Sequence, residues 1–156
     1  MRIRTFNTVK WILFLWELPQ NVLGLFVLLF SAIHGGVKRK SMDGIIYYET
    51  LPGNPVYGVS LGIWIFLRSD YVDRLSVHHE YGHQIQGLAY GPLYLIVIGI
   101  PSGLSNTRFA RFFGLGYKTE YDYYWRFRWE RGADRRGGIS RAVDDIGKRI
   151  DRSVMG

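Results

Sequence analysis

Apolar and polar residues along this chain fall into blocks of different period, and each block predicts a different element. Trp11 to Ile33 is mostly apolar, with Arg2, Arg4 and Lys10 before it and Lys38, Arg39 and Lys40 after it. A bilayer-spanning helix needs about 20 such residues, so length and flanks suit a membrane helix over 11–33. Glu17, Pro19, Gln20 and Asn21 interrupt the run. They predict a kink near Pro19, with Glu17 turned toward protein or headgroups. A buried soluble helix and a cleaved signal peptide compete with this reading. The charge-free run from Leu18 to His34 favours lipid, and Ser31-Ala32-Ile33-His34 is a poor cleavage site. Basic residues on both sides leave the orientation open.

Over 45–67 the pattern changes. Ile45 to Thr50 and Val56 to Leu67 are rich in β-branched and aromatic residues and are separated by Leu51-Pro52-Gly53-Asn54-Pro55. This reads as strand, turn and strand, a small hairpin or sheet with Val56 to Leu67 as a candidate edge. A helix follows over 70–87, capped by an acid between Asp70 and Asp73. Gln84 to Thr107 then carries no charge. Its breakers, Gly91-Pro92 and Gly99-Ile100-Pro101-Ser102-Gly103, predict a broken or re-entrant apolar segment over 88–107. A further helix is expected over 120–136. From Arg135 onward, charges alternate around Ile139, Val143, Ile146 and Ile150, as in an amphipathic helix.

Chemistry is concentrated in the helix over 70–87. His79-Glu80-Tyr81-Gly82-His83 reads H-E-x-x-H, which places two imidazoles on one helical face, four residues apart. Glu80 lies roughly 100° round the helix from His79, able to take a proton from metal-bound water without capping the metal. A zinc ion with one open position brings bound water to a pKa of about 7, so hydroxide is available at neutral pH for peptide-bond hydrolysis. Two histidines need a third protein ligand. Glu130 offers it, and Asp134, one turn on, can accept the remaining N–H of a ligating imidazole. A full membrane crossing by 87–107 would put Glu130 on the far side of the bilayer from the histidines, because the charged stretch 108–129 cannot cross back. The ligand set therefore requires 87–107 to return to its own side. Among Tyr121, Tyr123, Tyr124 and Trp125, a tyrosine can serve an oxyanion, or the group can form an interfacial aromatic belt. His78 lies off the ligand face, as a structural residue would. His34 reads as an interfacial polar residue.

H-E-x-x-H followed by E-x-x-x-D resembles the gluzincin metalloproteases, above all their integral-membrane members such as the CAAX prenyl protease and the bacterial heat-shock membrane protease. A closer likeness, over most of the chain, is to small bacterial membrane proteins with H-E-Y-G-H-x-x-Q followed by G-P-L-Y-L, here His79 to Gln86 and Gly91 to Leu95. The resemblance implies zinc held by His79, His83 and Glu130, Glu80 as catalytic base, and residence in a bacterial cytoplasmic membrane. It implies no particular substrate.

Composition narrows the picture further. The 156 residues suit one domain. The absence of cysteine excludes disulfides, thiolate metal sites and a lipoprotein anchor. A His and carboxylate donor set favours zinc over iron, manganese or cobalt. The net charge of +7 comes without a nucleic-acid fingerprint, so anionic lipid headgroups are the expected partner. The expectation is a membrane-embedded α+β domain that hydrolyses peptide or protein substrates with one zinc ion at the membrane surface. The alternatives are a non-catalytic metal-binding membrane protein and a secreted zincin released by removal of residues 1 to about 32.

Overall fold

A computed structural model describes residues 11–105 and 127–139, with the short strands Ala142–Val143 and Arg149–Ile150. The fold is α+β. Residues 11–16 are helical, the chain turns at Glu17, and helix α1 runs over Leu18–Ile33 with proline in its first turn. Four strands follow: β1 (Val37–Met42), β2 (Ile45–Thr50), β3 (Gly58–Leu61) and β4 (Trp64–Arg68). Helix α2 spans Arg74–Tyr90, α3 spans Ile100–Ser105 and α4 spans Arg128–Arg136.

The sheet is larger than the expected hairpin, with strand order β1-β2-β4-β3. The run Val56 to Leu67 is two strands, folded at Gly62-Ile63 so that Leu61 faces Trp64. Its second half, β4, lies inside the sheet and pairs with β2 in parallel. Within this run only β3 is an edge. Strand β1 was not expected, because Lys38, Arg39 and Lys40 make it charged. Charge is tolerated on an edge strand, where it also discourages pairing with other chains. The sequence does carry a signal for this hairpin in Asp43-Gly44, both at positive φ (51° and 81°), the dipeptide favoured in two-residue turns.

Ile65 and Leu67 of β4, at most 1% exposed, form the buried core with Tyr47 of β2 and Val77 of α2, and Phe66 is buried against Tyr48 and Trp64. Each full burial of such an apolar side chain stabilises by about 1.5–3 kcal/mol. The sheet thus holds one face of α2 in place. Asp73 caps α2 by accepting from the amide of Ser76 at 2.6 Å, within the predicted range.

Helix α1 has the reverse polarity of a helix packed in water. Glu17, just before it, and Gln20, Asn21 and Ser31 within it are buried, whereas Phe26 is 65% and Ile33 81% exposed. Asn21 accepts from the amide of Ile63 at 2.9 Å, and its main-chain carbonyl accepts from Trp64 Nε1 at 3.2 Å. Gln20 donates to the carbonyl of Gly91, and Asn54 donates to Ser31 Oγ.

After α2 the chain breaks as the glycines and prolines predict. The axis turns through 118° between Arg74–Leu93 and Leu95–Leu104. Gly91 sits at φ 53°, ψ −133°, open only to glycine, and a Cβ there would enter the indole of Trp16. A wide π-type turn over Leu95–Gly99 then leads into α3. No single helix among the described residues is long and apolar enough to cross a membrane.

Of the helix expected over 120–136, the part over 120–126 lies outside the described residues, as do Tyr121, Tyr123, Tyr124 and Trp125. Of the amphipathic helix expected from Arg135 onward, most lies outside the described residues. Helix α4 ends at Arg136, and Ala142–Val143 pairs antiparallel with Arg149–Ile150. Glycines at 137 and 138 stop the helix, Gly138 at φ 73°, and the β-branched residues beyond them suit a strand pair.

Candidate metal centre

Two helices supply the site, and glycine lets them approach. His79 and His83 lie one turn apart on α2, and Glu130 and Asp134 one turn apart on α4. Between the histidines, Gly82 faces Ala133, and a Cβ on it would overlap the Ala133 carbonyl. At the end of α4, Gly137 meets the His78 carbonyl in the same way. His78 fastens this contact: its Nδ1 lies 2.9 Å from the Gly137 carbonyl and its Nε2 lies 3.0 Å from Asp43. His34, at the end of α1, stacks on Phe30 and lies 2.8 Å from that residue's carbonyl.

His79, His83, Glu130 and Asp134 are all buried, Glu130 completely. Glu130 Oε2 lies 3.2 Å from Nε2 of His79 and 3.0 Å from Nε2 of His83. On the far side of each ring, Nδ1 meets an acceptor. For His79 it is Asp134 Oδ1 at 2.7 Å, and for His83 it is Gln86 Oε1 at 2.8 Å. The amide of Gln86 is oriented by its own donation to the Trp129 carbonyl at 2.7 Å, which leaves oxygen toward His83. Both Nδ1 atoms are therefore donors, and a neutral imidazole protonated there presents a lone pair at Nε2.

Neutral imidazoles would thus bring two lone pairs and a carboxylate oxygen together in a buried space, where they repel unless a metal ion or a proton lies among them. One ligand atom from each of His79, His83 and Glu130 lies within 4.8 Å of the others, a group able to hold a metal ion. Ligands about 2.0–2.2 Å from a tetrahedral ion stand about 3.3 Å apart, close to the spacing of Oε2 from both imidazoles. In the metal-free protein a proton on His79 takes that place. Burial opposes charge on His79, yet hydrogen bonds to Asp134 and Glu130 outweigh it and raise the imidazole from 6.5 to about 10. Burial likewise opposes charge on Glu130, but the two histidines hold its carboxyl well below the ordinary value.

Glu80 is buried beside the ligands, with its carboxyl raised mainly by burial. It lines a cleft of about 620 Å³ together with His79, His83, Tyr94 and Ser102. The edge strand β3 forms one wall. A Cβ on Gly58 would stand 2.8 Å from Glu80 Oε1, so the glycine leaves that oxygen room.

Comparison with known protein families, with curated proteins and with solved structures finds no match.

All five sequence-predicted site residues meet in this one place. Two more are part of it and were not expected. Gln86 fixes His83, and Ser102 donates to Glu130 Oε1 at 2.6 Å. Gln86 stands three residues past His83 on the ligand helix, a spacing from which its side chain can reach that ring. Ser102 lies among the chain breakers, and nothing in local spacing ties it to Glu130.

Proposed function

We propose that this chain hydrolyses peptide bonds with a zinc ion held in a gluzincin-like site, working at a membrane surface. The observation that carries the reading is the convergence of His79, His83 and Glu130 with both imidazole Nδ1 atoms engaged by acceptors and Glu80 in the adjoining cleft. When bound, zinc supplies Lewis-acid polarisation of the scissile carbonyl and an acidified water. His79, His83 and Glu130 hold that ion, and Asp134 and Gln86 keep the imidazoles turned toward it. Glu80 takes the proton of the attacking water and returns it to the leaving amine, a role suited to a carboxyl that burial has made more basic. The edge of β3 offers main-chain groups to an extended peptide.

Support for the membrane comes from α1. Its polar side chains are engaged within the protein and its apolar ones face outward, the arrangement suited to lipid. Exposed Lys38, Arg39 and Lys40 follow directly, able to meet anionic headgroups, and the location proposed is a bacterial cytoplasmic membrane.

The test is metal content and peptide cleavage of detergent-purified protein, wild type beside Glu80→Gln. Near-stoichiometric zinc in both, with cleavage only in the wild type, is expected. Absence of zinc from the wild type overturns the reading. Zinc without cleavage in either protein favours a metal-binding membrane protein of structural or binding role.

A further inference from the structure

The apolar segment after α2 ends in a polar contact that zinc coordination by itself does not require. Ser102, on α3, donates its hydroxyl to Glu130 Oε1 at 2.6 Å. That length belongs to a charge-assisted O–H···O⁻ bond. The other oxygen of the same carboxylate, Oε2, faces both imidazoles. The two oxygens therefore have separate tasks, one toward the metal position and one toward Ser102. The contact depends on the broken path of the chain. The 118° turn near Gly91 and the turn over Leu95–Gly99 bring Pro101-Ser102-Gly103 back to the ligand helices.

We infer that Ser102 is a positioning residue that keeps Glu130 a one-oxygen ligand, so that the coordination position needed by water stays open. The inference rests on the metal reading above. Its physical basis is competition for Oε1. A carboxylate with both oxygens at liberty can close onto an ion with two bonds, and the second would take the place of a water. A hydroxyl donor on Oε1 lowers that oxygen's capacity to coordinate and holds the carboxylate plane in one rotation. Ser102 also lines the cleft and is only partly buried.

The experiment uses full-length protein in detergent, loaded with cobalt as a spectroscopic stand-in for zinc. Wild type, Ser102→Ala and the isosteric pair Ser102→Thr and Ser102→Val are compared by visible absorption before and after addition of azide. Thermal unfolding of each protein accompanies these measurements. Wild type and Ser102→Thr are expected to share one cobalt spectrum. Ser102→Ala and Ser102→Val are expected to bind cobalt with an altered spectrum that loses the wild type's response to an added anion such as azide, because the second carboxylate oxygen then fills the open position. Ala and Val variants with the wild-type spectrum and azide response overturn the inference while leaving the metal site in place. Thr behaving like Val also overturns it, since the hydroxyl is then not the cause. A wild type that binds neither cobalt nor zinc removes the metal reading itself. Should Ser102→Ala fail to fold, the Thr and Val pair decides.

Discussion

Gly82 of α2 lies directly against the main-chain carbonyl of Ala133 on α4, closer than any side chain would allow. That contact sets the separation of the two helices that carry the candidate metal ligands. Gly82→Ala is expected to push α4 away, destabilising the protein by about 1–3 kcal/mol or more as an overpacked core does. Metal binding should weaken in parallel, because Glu130 moves with the helix. Chelator competition alongside thermal unfolding checks this, and an alanine variant with unchanged metal affinity would remove the helix contact from the account of the site.

Asp134 bears on the candidate metal position through His79 Nδ1. Asp134→Asn keeps an oxygen at nearly the same place, whereas Asp134→Ala leaves the Nδ1–H of a buried ring without that acceptor. The alanine variant should lose about 10–100-fold in metal affinity, and the asparagine variant less. Equal losses in the two would mean that acceptance from His79 is not what Asp134 contributes.

Gln86 is held from two sides, by His83 Nδ1 and by the Trp129 carbonyl. Gln86→Leu keeps much of the volume and removes both partners. The expected cost is about 1–3 kcal/mol for each buried group left unsatisfied, together with weaker metal binding. Gln86→Glu retains an acceptor for His83 and should bind metal better than the leucine variant. Isothermal titration with zinc separates the two.

The metal-free protein should show a stability that falls on the alkaline side. His79 is raised from 6.5 to about 10, so its contribution is fully present below 6.5 and is lost as pH climbs through about 10. Glu130 is depressed below 4.5, so its share of the same interaction is present above 4.5 and fades as pH drops through its lower folded value. Metal competes with the His79 proton, so zinc affinity should increase across the window in which the stability of the metal-free protein declines. Melting temperatures of chelator-treated protein from about pH 5 upward test the first trend. A level profile up to about pH 10 would contradict it.

Membrane attachment should resist salt. The exposed face of α1 presents Leu25, Phe26, Leu29 and Phe30, and none of these depends on charge for its affinity. Intact protein in a membrane fraction is expected to stay in the pellet in high salt and to need detergent for release. Release by salt alone would assign that face to a protein partner or to the soluble alternative.

The candidate ligand set was legible because H-E-x-x-H confines three side chains able to do such chemistry to little more than one turn, where helix geometry alone aligns them. Glu130 and Asp134 were legible for the same local reason, and the demand for a third ligand joined the two helices. The cap at Asp73 and the break after α2 followed from single residues with strong backbone preferences. The sheet was harder to read. The parallel pairing of β2 with β4 is not written in either strand, and β1 is disguised by its lysines and arginine. Ser102 was hidden because its partner is 28 positions away, beyond the reach of any local period. The reversed polarity of α1 could be sensed at Glu17, but its full extent needed the positions of Ile63, Trp64 and Gly91.

Polar contacts prominently join α1 to the rest of the chain, and this changes how the helix is held. Apolar packing is forgiving, since a greasy surface can slide or roll on another at small cost. Hydrogen bonds are directional, and those of Gln20, Asn21 and Ser31 all depend on one rotational setting. Turning α1 by a single residue, roughly 100°, would carry these groups away from their partners together. The helix is thus indexed against the sheet turn and the break after α2 like a key in its wards, whatever medium surrounds its outer face.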